Sequence, residues 1–164
     1  MCIRDRAWGG QAYRRFHMTT NYRNAREIFD YAAEMIRRFV PDADIPDAVR
    51  ESGAVPVEGS LGDDVVGSVA EAIVGLAAQV EGTIAVITPD RYAGQLGELP
   101  GRLAGADPGV VERVRVIDPL STKGLEYDAT VVVDPDEIAA TCAGGVRTLY
   151  VVLTRAAHRM VVLR

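Results

Sequence analysis

The stretch Thr83-Ile84-Ala85-Val86-Ile87-Thr88 is a continuous apolar run, and Pro89 follows it directly. A short run of this kind, rich in β-branched residues, is typical of a strand that is buried on both faces of a parallel sheet. Parallel neighbours require long crossover connections, which are usually helical. The run therefore predicts a parallel sheet with helical patterns on both sides of it in the sequence.

Helical and strand patterns alternate outward from this run. Upstream, Asp63 or Asp64 is predicted to cap a helix that continues to about Val80. Downstream, a helix interrupted by glycine and proline is predicted from Pro89 to about Ala104. Strands are predicted at 114–117, 130–133 and 160–163, a short helix from 134, and a longer helix over 147–157. This alternation predicts an α/β domain with a mainly parallel sheet and helices on both faces.

The amino-terminal third follows the same pattern. Residues 15–20 predict a short strand, and Asn24 with Glu27 resembles the capping box of a following helix. Pro41 is predicted to end that helix. Residues 41–62 predict an irregular connection. The apolar stripe of the helix consists of Ile28, Tyr31, Ala32, Met35, Ile36 and Phe39.

Composition limits the class of protein. The chain has 164 residues and a formal net charge of −5, which is more acidic than an isolated nucleic-acid-binding domain usually is. It has no apolar run near the roughly 20 residues that span a bilayer, and no secretory signal follows its start. Cys2 and Cys142 have no metal-like spacing. We expect a cytoplasmic protein without a membrane partner and without a metal site of its own.

The single lysine, Lys123, lies in Ser121-Thr122-Lys123-Gly124-Leu125-Glu126-Tyr127-Asp128, between two predicted strands. The other seventeen basic residues are arginines. A polar turn at a strand end gathers hydroxyls, an ammonium group and backbone N–H groups, which are the parts of an anion or phosphate site. An ordinary turn with glycine at a positive φ explains the same residues about equally well.

Two further polar clusters stand out. In Thr20-Asn21-Tyr22-Arg23, Tyr22 offers an aromatic face to a base and Arg23 a planar fork to phosphate oxygens, although packing and a surface ion pair would also explain them. Arg155 interrupts the apolar run 149–156 and has to reach solvent or an anion, although an exposed arginine at a helix end, favoured by the helix dipole, would also explain it. Ligands of parallel sheets bind beyond the carboxyl ends of the strands, and we expect the three clusters at such ends or in the helices that follow them.

Taken in order, Asn-Tyr-Arg at 21–23, Thr-Lys-Gly-Leu-Glu-Tyr-Asp at 122–128 and Leu-Tyr-Val-Val-Leu-Thr-Arg-Ala at 149–156 resemble the second RecA-like domain of UvrD-type superfamily 1 helicases. The resemblance covers about residues 16–164. Within that superfamily the chain looks most like the HelD-like branch, which acts on RNA polymerase. It implies a RecA-like three-layer fold over residues 16–164. Residues 1–15 form a segment that we expect to be foreign or truncated.

The resemblance also implies roles for individual residues. Tyr22 would stack on adenine and Arg23 would reach the γ-phosphate. Gly124 and Glu126 would touch the nucleotide, with the acid at the ribose. Arg155 would act as an arginine finger. Thr122 and Lys123 would couple the nucleotide to a DNA or RNA strand, with Tyr150 and Thr154 positioning Arg155.

The chain lacks other parts of the family's machinery. It has no G-x-x-x-x-G-K-[ST] stretch and no Asp-Glu pair after an apolar strand. The resemblance places those parts, and the Mg²⁺ that accompanies ATP, on a first RecA-like domain, which would be the partner of this one. We therefore expect half of an ATP site, which would not hydrolyse ATP alone.

Three hypotheses follow from the sequence. The first is the C-terminal motor domain of an ATP-dependent DNA helicase or translocase. The second is a non-catalytic RecA-like module that docks on RNA polymerase or on a partner ATPase. The third is an unrelated nucleotide-binding α/β domain, which would bind nucleotide by itself.

Overall fold

A computed structural model describes residues 20–43, 45, 47–51 and 53–164, with only the main chain described for 20–24, 47–50 and 106. The predicted segment 1–15 and the strand predicted over 15–20, except Thr20, lie outside these residues.

The central element is a five-stranded sheet in which every pairing is parallel. Its order is β3-β7-β6-β4-β5, so the three-residue strand β3 and the strand β5 are its two edges. The strands are β3 (Val57–Gly59), β4 (Ile84–Ile87), β5 (Val114–Ile117), β6 (Tyr127–Val133) and β7 (Ala156–Leu163). All four residues of β4 are fully buried, as the sequence predicts for a central parallel strand.

A second, two-stranded sheet precedes the main one. It pairs β1 (Thr20–Ala25) with β2 (Asp47–Arg50) in parallel, and β1 contacts β7 of the main sheet. The helix α1 (Arg26–Phe39) connects the two strands.

Helices cover both faces of the main sheet, as predicted. One face is covered by α2 (Val65–Ala77), α3 (Asp90–Leu96), α4 (Leu99–Ala106) and α5 (Pro108–Val111). The other is covered by α1, α6 (Pro135–Thr141) and α7 (Val146–Leu153). Alternate residues of one strand point to the two layers, so that Val131 packs with the first group and Val132 with the second. The described residues thus form three layers around two apolar cores.

Several helix limits agree with the sequence. Asp64 accepts a hydrogen bond from the Gly67 amide and caps α2. Asp134 caps α6 in the same way, with its carboxylate accepting from the Glu137 amide. α1 ends at Phe39, just before Pro41.

Four predictions about local structure were wrong. Asn24 lies within β1, and α1 begins at Arg26 without a side-chain cap, while Glu27 instead accepts from the Gly53 amide. The connection 41–62 contains β2 and β3. In α1 the buried face includes Phe29, whereas Phe39 is 43% exposed. The helix predicted over 147–157 ends at Leu153, and Ala156 already belongs to β7.

Candidate functional site

The residues that precede β6 and β7 meet at one edge of the sheet. Tyr127 is the first residue of β6 and Ala156 the first of β7, and the two are paired in register. Glu126 and Arg155, one position earlier in each strand, therefore lie at the amino edge of the sheet. The expectation of a carboxyl end was wrong for Glu126, whereas Arg155 follows the end of α7, one of the helices after β6. The reason is that a crossover between parallel strands leaves one end of the sheet and has to enter the next strand at the other.

The connection 118–126 makes this crossing between β5 and β6. At its start, the Asp118 carboxylate accepts hydrogen bonds from the amides of Leu120 (2.9 Å) and Ser121 (3.0 Å). The hydrogen bond from the Ser121 side chain is the main cause that lowers the pKa of Asp118. Asp118 thereby fixes a short 3₁₀ turn over Leu120–Thr122. Two local turns, this one and the next, give the crossing segment a defined shape.

The second turn presents the predicted Thr-Lys-Gly residues in different ways. Thr122 is fully buried, and its hydroxyl donates to the Pro119 carbonyl at 2.7 Å. The Leu125 amide donates to the Thr122 carbonyl at 3.1 Å. Gly124 has a φ of +86°, a conformation that favours glycine. Lys123 is exposed between them. Thr122 therefore supports the turn, and Lys123 is the cation that this turn presents to solvent.

Arg155 connects the crossing segment to the end of α7. Its Nε donates to the Val151 carbonyl at 2.8 Å, and its Nη1 donates to the Leu125 carbonyl at 3.0 Å. Its Nη2 donates to Thr154 Oγ1 at 3.2 Å. The main chain adds a further link, because the Tyr127 amide donates to the Arg155 carbonyl at 3.0 Å. The middle and last sequence clusters, thirty residues apart at Leu125 and Arg155, are thus joined directly.

Thr154 and Arg155 also explain why α7 is shorter than predicted. The Thr154 hydroxyl lies 2.9 Å from the Tyr150 carbonyl and 3.1 Å from the Val151 carbonyl. The Arg155 Nε also donates to the Val151 carbonyl, so side chains satisfy this carbonyl at the end of the helix, while the Tyr150 carbonyl also accepts from the Thr154 amide at 3.2 Å. A cation there is also favoured by the helix dipole. The helix ends at Leu153, and β7 begins at Ala156.

Only the main chain of the first cluster, residues 20–23, is described by the structure. Tyr22 and Arg23 lie in β1, which contacts β7, while their side chains lie outside the described residues. Their nucleotide-binding roles remain predictions. The helix that follows them is described: Phe29 of α1 meets Tyr150 of α7 edge to face, with ring centroids 6.4 Å apart. Burial raises the pKa of Tyr150, and the nearby Arg155 opposes that rise.

Asp128 is a structural residue of the same motif. Its Oδ2 accepts from the Thr83 amide (2.8 Å) and lies 3.2 Å from the Thr83 hydroxyl, so it fastens the start of β4 to β6. Gly82 leaves the room for it, since a Cβ at that position would lie 1.9 Å from the carboxylate oxygen. Glu126, two residues before Asp128, is exposed at the amino edge.

A second polar group, which the sequence did not predict, lies at the carboxyl edge. Arg91 Nη2 donates to Asp134 Oδ2 at 2.8 Å, and the Tyr92 hydroxyl donates to the same oxygen at 2.9 Å. Arg91 also pairs with Glu137 at 3.5 Å and stacks over the Tyr92 ring. These side chains come from α3 and from the start of α6, more than forty residues apart. A groove of about 410 Å³ lies beside them, lined by Asp118, Arg91 and Glu137 among others.

Within the described residues, no three His, Cys, Asp or Glu side chains group closely enough to hold a metal ion. None of the helices in the described part of the chain is long and apolar enough to cross a lipid bilayer.

No protein-family profile matches the chain, and no curated protein sequence matches it. Solved structures do. One of them is the crystal structure of the C-terminal domain of a possible DNA helicase from Lactobacillus plantarum WCFS1. It superposes with a TM-score of 0.57 and 18% sequence identity, over 87% of this chain and 86% of that one. The two chains share a fold. The predicted RecA-like three-layer architecture is confirmed by this likeness and by the parallel sheet with helices on both faces.

Proposed function

We propose that this chain is the second motor domain of an ATP-dependent DNA helicase or translocase of the UvrD type, and that it belongs to the HelD-like branch, which its sequence motifs resemble. In this role it supplies half of an ATP site and needs a first RecA-like domain for the other half. The observation that carries the proposal is the hydrogen bond between Arg155 and the Leu125 carbonyl. It joins two of the three sequence clusters at one edge of the sheet.

The chemistry of that edge suits a phosphate ligand. Hydrogen bonds from Nε, Nη1 and Nη2 hold the guanidinium of Arg155, so this cation is restricted to a defined position. A guanidinium in a fixed position can stabilise the negative charge that develops on a transferred phosphoryl group. Exposed Glu126, at the same edge, can accept hydrogen bonds from a ribose. Arg23 and Tyr22 would complete this half of the site.

The other half would come from the partner domain. ATP carries Mg²⁺, and among the described residues no three His, Cys, Asp or Glu side chains group as ligands of a metal ion. Walker A and Walker B residues on a first RecA-like domain would supply that function. Lys123, exposed on the segment that Arg155 holds, is suited to contact the backbone of a DNA or RNA strand.

ATP turnover tests the proposal. The chain alone should show no Mg²⁺-dependent hydrolysis above that of the Arg155→Ala variant. Joined in one polypeptide to a first RecA-like domain that carries a Walker A loop, it should hydrolyse ATP, with stimulation by single-stranded DNA. Arg155→Ala should then lower kcat by about 10³-fold or more, the usual effect of removing an arginine finger.

Arg147→Ala is the matched control, because Arg147 is an exposed arginine at the beginning of the same helix. Turnover by the chain alone at a rate well above that of its Arg155→Ala variant would refute the half-site proposal. Equal activity of the Arg155→Ala and Arg147→Ala variants in the joined protein would refute the role of Arg155.

One observation favours a second candidate, a RecA-like module that docks on RNA polymerase or on a partner ATPase without catalysis. Arg155 uses its guanidinium on acceptors within the chain, as a purely structural arginine would. This candidate predicts that Arg155→Ala lowers stability and leaves the function of the assembled protein intact. The kinetic comparison of Arg155→Ala with Arg147→Ala, made on folded variants, separates the two candidates.

A further inference from the structure

Arg155 has to be oriented before it can serve a phosphoryl group. An arginine side chain has many rotamers, and part of this freedom is lost whenever the guanidinium is fixed by a ligand. A guanidinium that the protein already holds in place loses less, which favours binding and catalysis. The residues that hold Arg155 therefore contribute to its proposed role.

Thr154 is well placed to hold it. The residue is only 6% exposed, and its hydroxyl accepts from Arg155 Nη2 at 3.2 Å. The single hydroxyl proton is directed to the helix carbonyls of Tyr150 and Val151, at 2.9 Å and 3.1 Å. Because the proton is used on the helix, a lone pair of the oxygen faces the guanidinium.

The other two acceptors come from different parts of the fold. The Val151 carbonyl belongs to α7, whereas the Leu125 carbonyl belongs to the connection 118–126. Leu125 is itself held, since its amide donates to the Thr122 carbonyl. Three acceptors around one planar group define the orientation of its plane.

We propose that Thr154 is a positioning residue for Arg155, and that the Leu125 carbonyl makes this orientation depend on the turn that carries Lys123. The benefit to a phosphate ligand rests on the proposed function, whereas the ordering of Arg155 does not. A movement of the Lys123 turn would then change the orientation of Arg155 through one hydrogen bond.

The Nε–H resonance of Arg155 in the ¹⁵N-labelled chain gives a direct measurement, with Arg155→Lys used to assign it. Thr154→Val keeps the shape of the side chain and removes the hydroxyl, and Thr154→Ser keeps the hydroxyl. We expect exchange of the Nε proton with water to become about tenfold faster in Thr154→Val, in keeping with the loss of one hydrogen bond to a charged group. Thr154→Ser should stay within about twofold of the unchanged chain.

Thr154→Ala is a second hydroxyl-free variant, and circular dichroism establishes that each variant is folded. Faster exchange in both hydroxyl-free variants, rescued by serine, supports the positioning role. Exchange in folded Thr154→Val or Thr154→Ala that matches the unchanged chain overturns it, and so does faster exchange in Thr154→Ser equal to that of Thr154→Val.

A titration with inorganic tripolyphosphate separates the failure of this inference from the failure of the proposed function. We expect millimolar tripolyphosphate to shift the Arg155 Nε resonance, with half-saturation at about tenfold higher concentration in Thr154→Val. Absence of a shift in the unchanged chain counts against the proposed function, while the exchange measurements still decide the role of Thr154. A shift with equal half-saturation in both proteins would overturn the benefit that we assign to positioning.

Discussion

Replacement of Gly82 by alanine is a sharp test of how β4 is attached to β6. The added Cβ would lie 1.9 Å from Asp128 Oδ2 and 2.2 Å from Asp128 Cγ, so the carboxylate would have to move. Gly82 is not among the glycines with positive φ, and its backbone can accept an alanine. The substitution should therefore lower the stability of the fold only through the loss of the hydrogen bonds that the Asp128 carboxylate accepts.

The hydrogen bonds in question determine the magnitude. Asp128 Oδ2 accepts from the Thr83 amide at 2.8 Å and from the Thr83 hydroxyl at 3.2 Å. A hydrogen bond to a charged group contributes about 1.5–3 kcal/mol, and the second contact is longer. Because Asp128 is only half-buried, water compensates in part. We expect Gly82→Ala to lower the free energy of unfolding by about 2 kcal/mol.

Equilibrium unfolding in urea measures this change, and a double-mutant cycle with Asp128→Ala isolates its cause. In the Asp128→Ala background the clash is gone, so Gly82→Ala should be neutral or slightly stabilising. Gly75→Ala is the matched control: a Cβ at this helical position meets no atom within 4 Å, and it should stabilise by about 0.5–1 kcal/mol. The reasoning fails if Gly82→Ala is equally harmful with and without the Asp128 carboxylate.

Three further outcomes are expected. The pKa of Tyr31 is raised from 10.0 to about 12 by burial and by its hydrogen bond to Glu58, so its stabilising contribution is complete below pH 10 and is lost as the pH rises towards 12. Tyr31→Phe should therefore make the melting temperature depend less on pH between pH 10 and 12, and an unchanged pH dependence would contradict the raised pKa of Tyr31. Among the described residues, Thr130 Oγ1 is buried without a hydrogen-bond partner. Thr130→Val should therefore raise stability by about 1 kcal/mol, seen as a melting temperature about 2–4 °C higher, and a lower one would count against this. Gly124→Ala should destabilise by about 1 kcal/mol through its φ of +86° alone, because the site has open space, and a neutral result in urea unfolding would refute that cause.

The sequence predicted correctly those elements that are determined by residues close together in the chain. The apolar run at β4 is a central strand, and Asp64 caps α2 because an aspartate just before an apolar helix can reach the first free amides. The short strands β2 and β3 were missed because their partners, β1 and β7, are distant in sequence. A strand of three or four residues is too short to show a periodicity of its own.

The site shows the same division. Motif order predicted that Arg155 and the Lys123 turn belong to one site, and in the structure Arg155 donates a hydrogen bond to the Leu125 carbonyl. The edge of the sheet was predicted wrongly, because residue spacing does not reveal where a crossover ends. The group formed by Arg91, Tyr92 and Asp134 was also missed. An arginine and an aspartate forty-three positions apart carry no pattern that marks them as partners.

The single exposed lysine has a practical consequence for spectroscopy. Amine-selective reagents have one side chain to modify in this sequence, Lys123, besides the α-amino group. A fluorophore could therefore be attached to the candidate site without any substitution. Its emission and anisotropy would report directly on the surroundings of that turn when a nucleotide, an oligonucleotide or a partner protein is added.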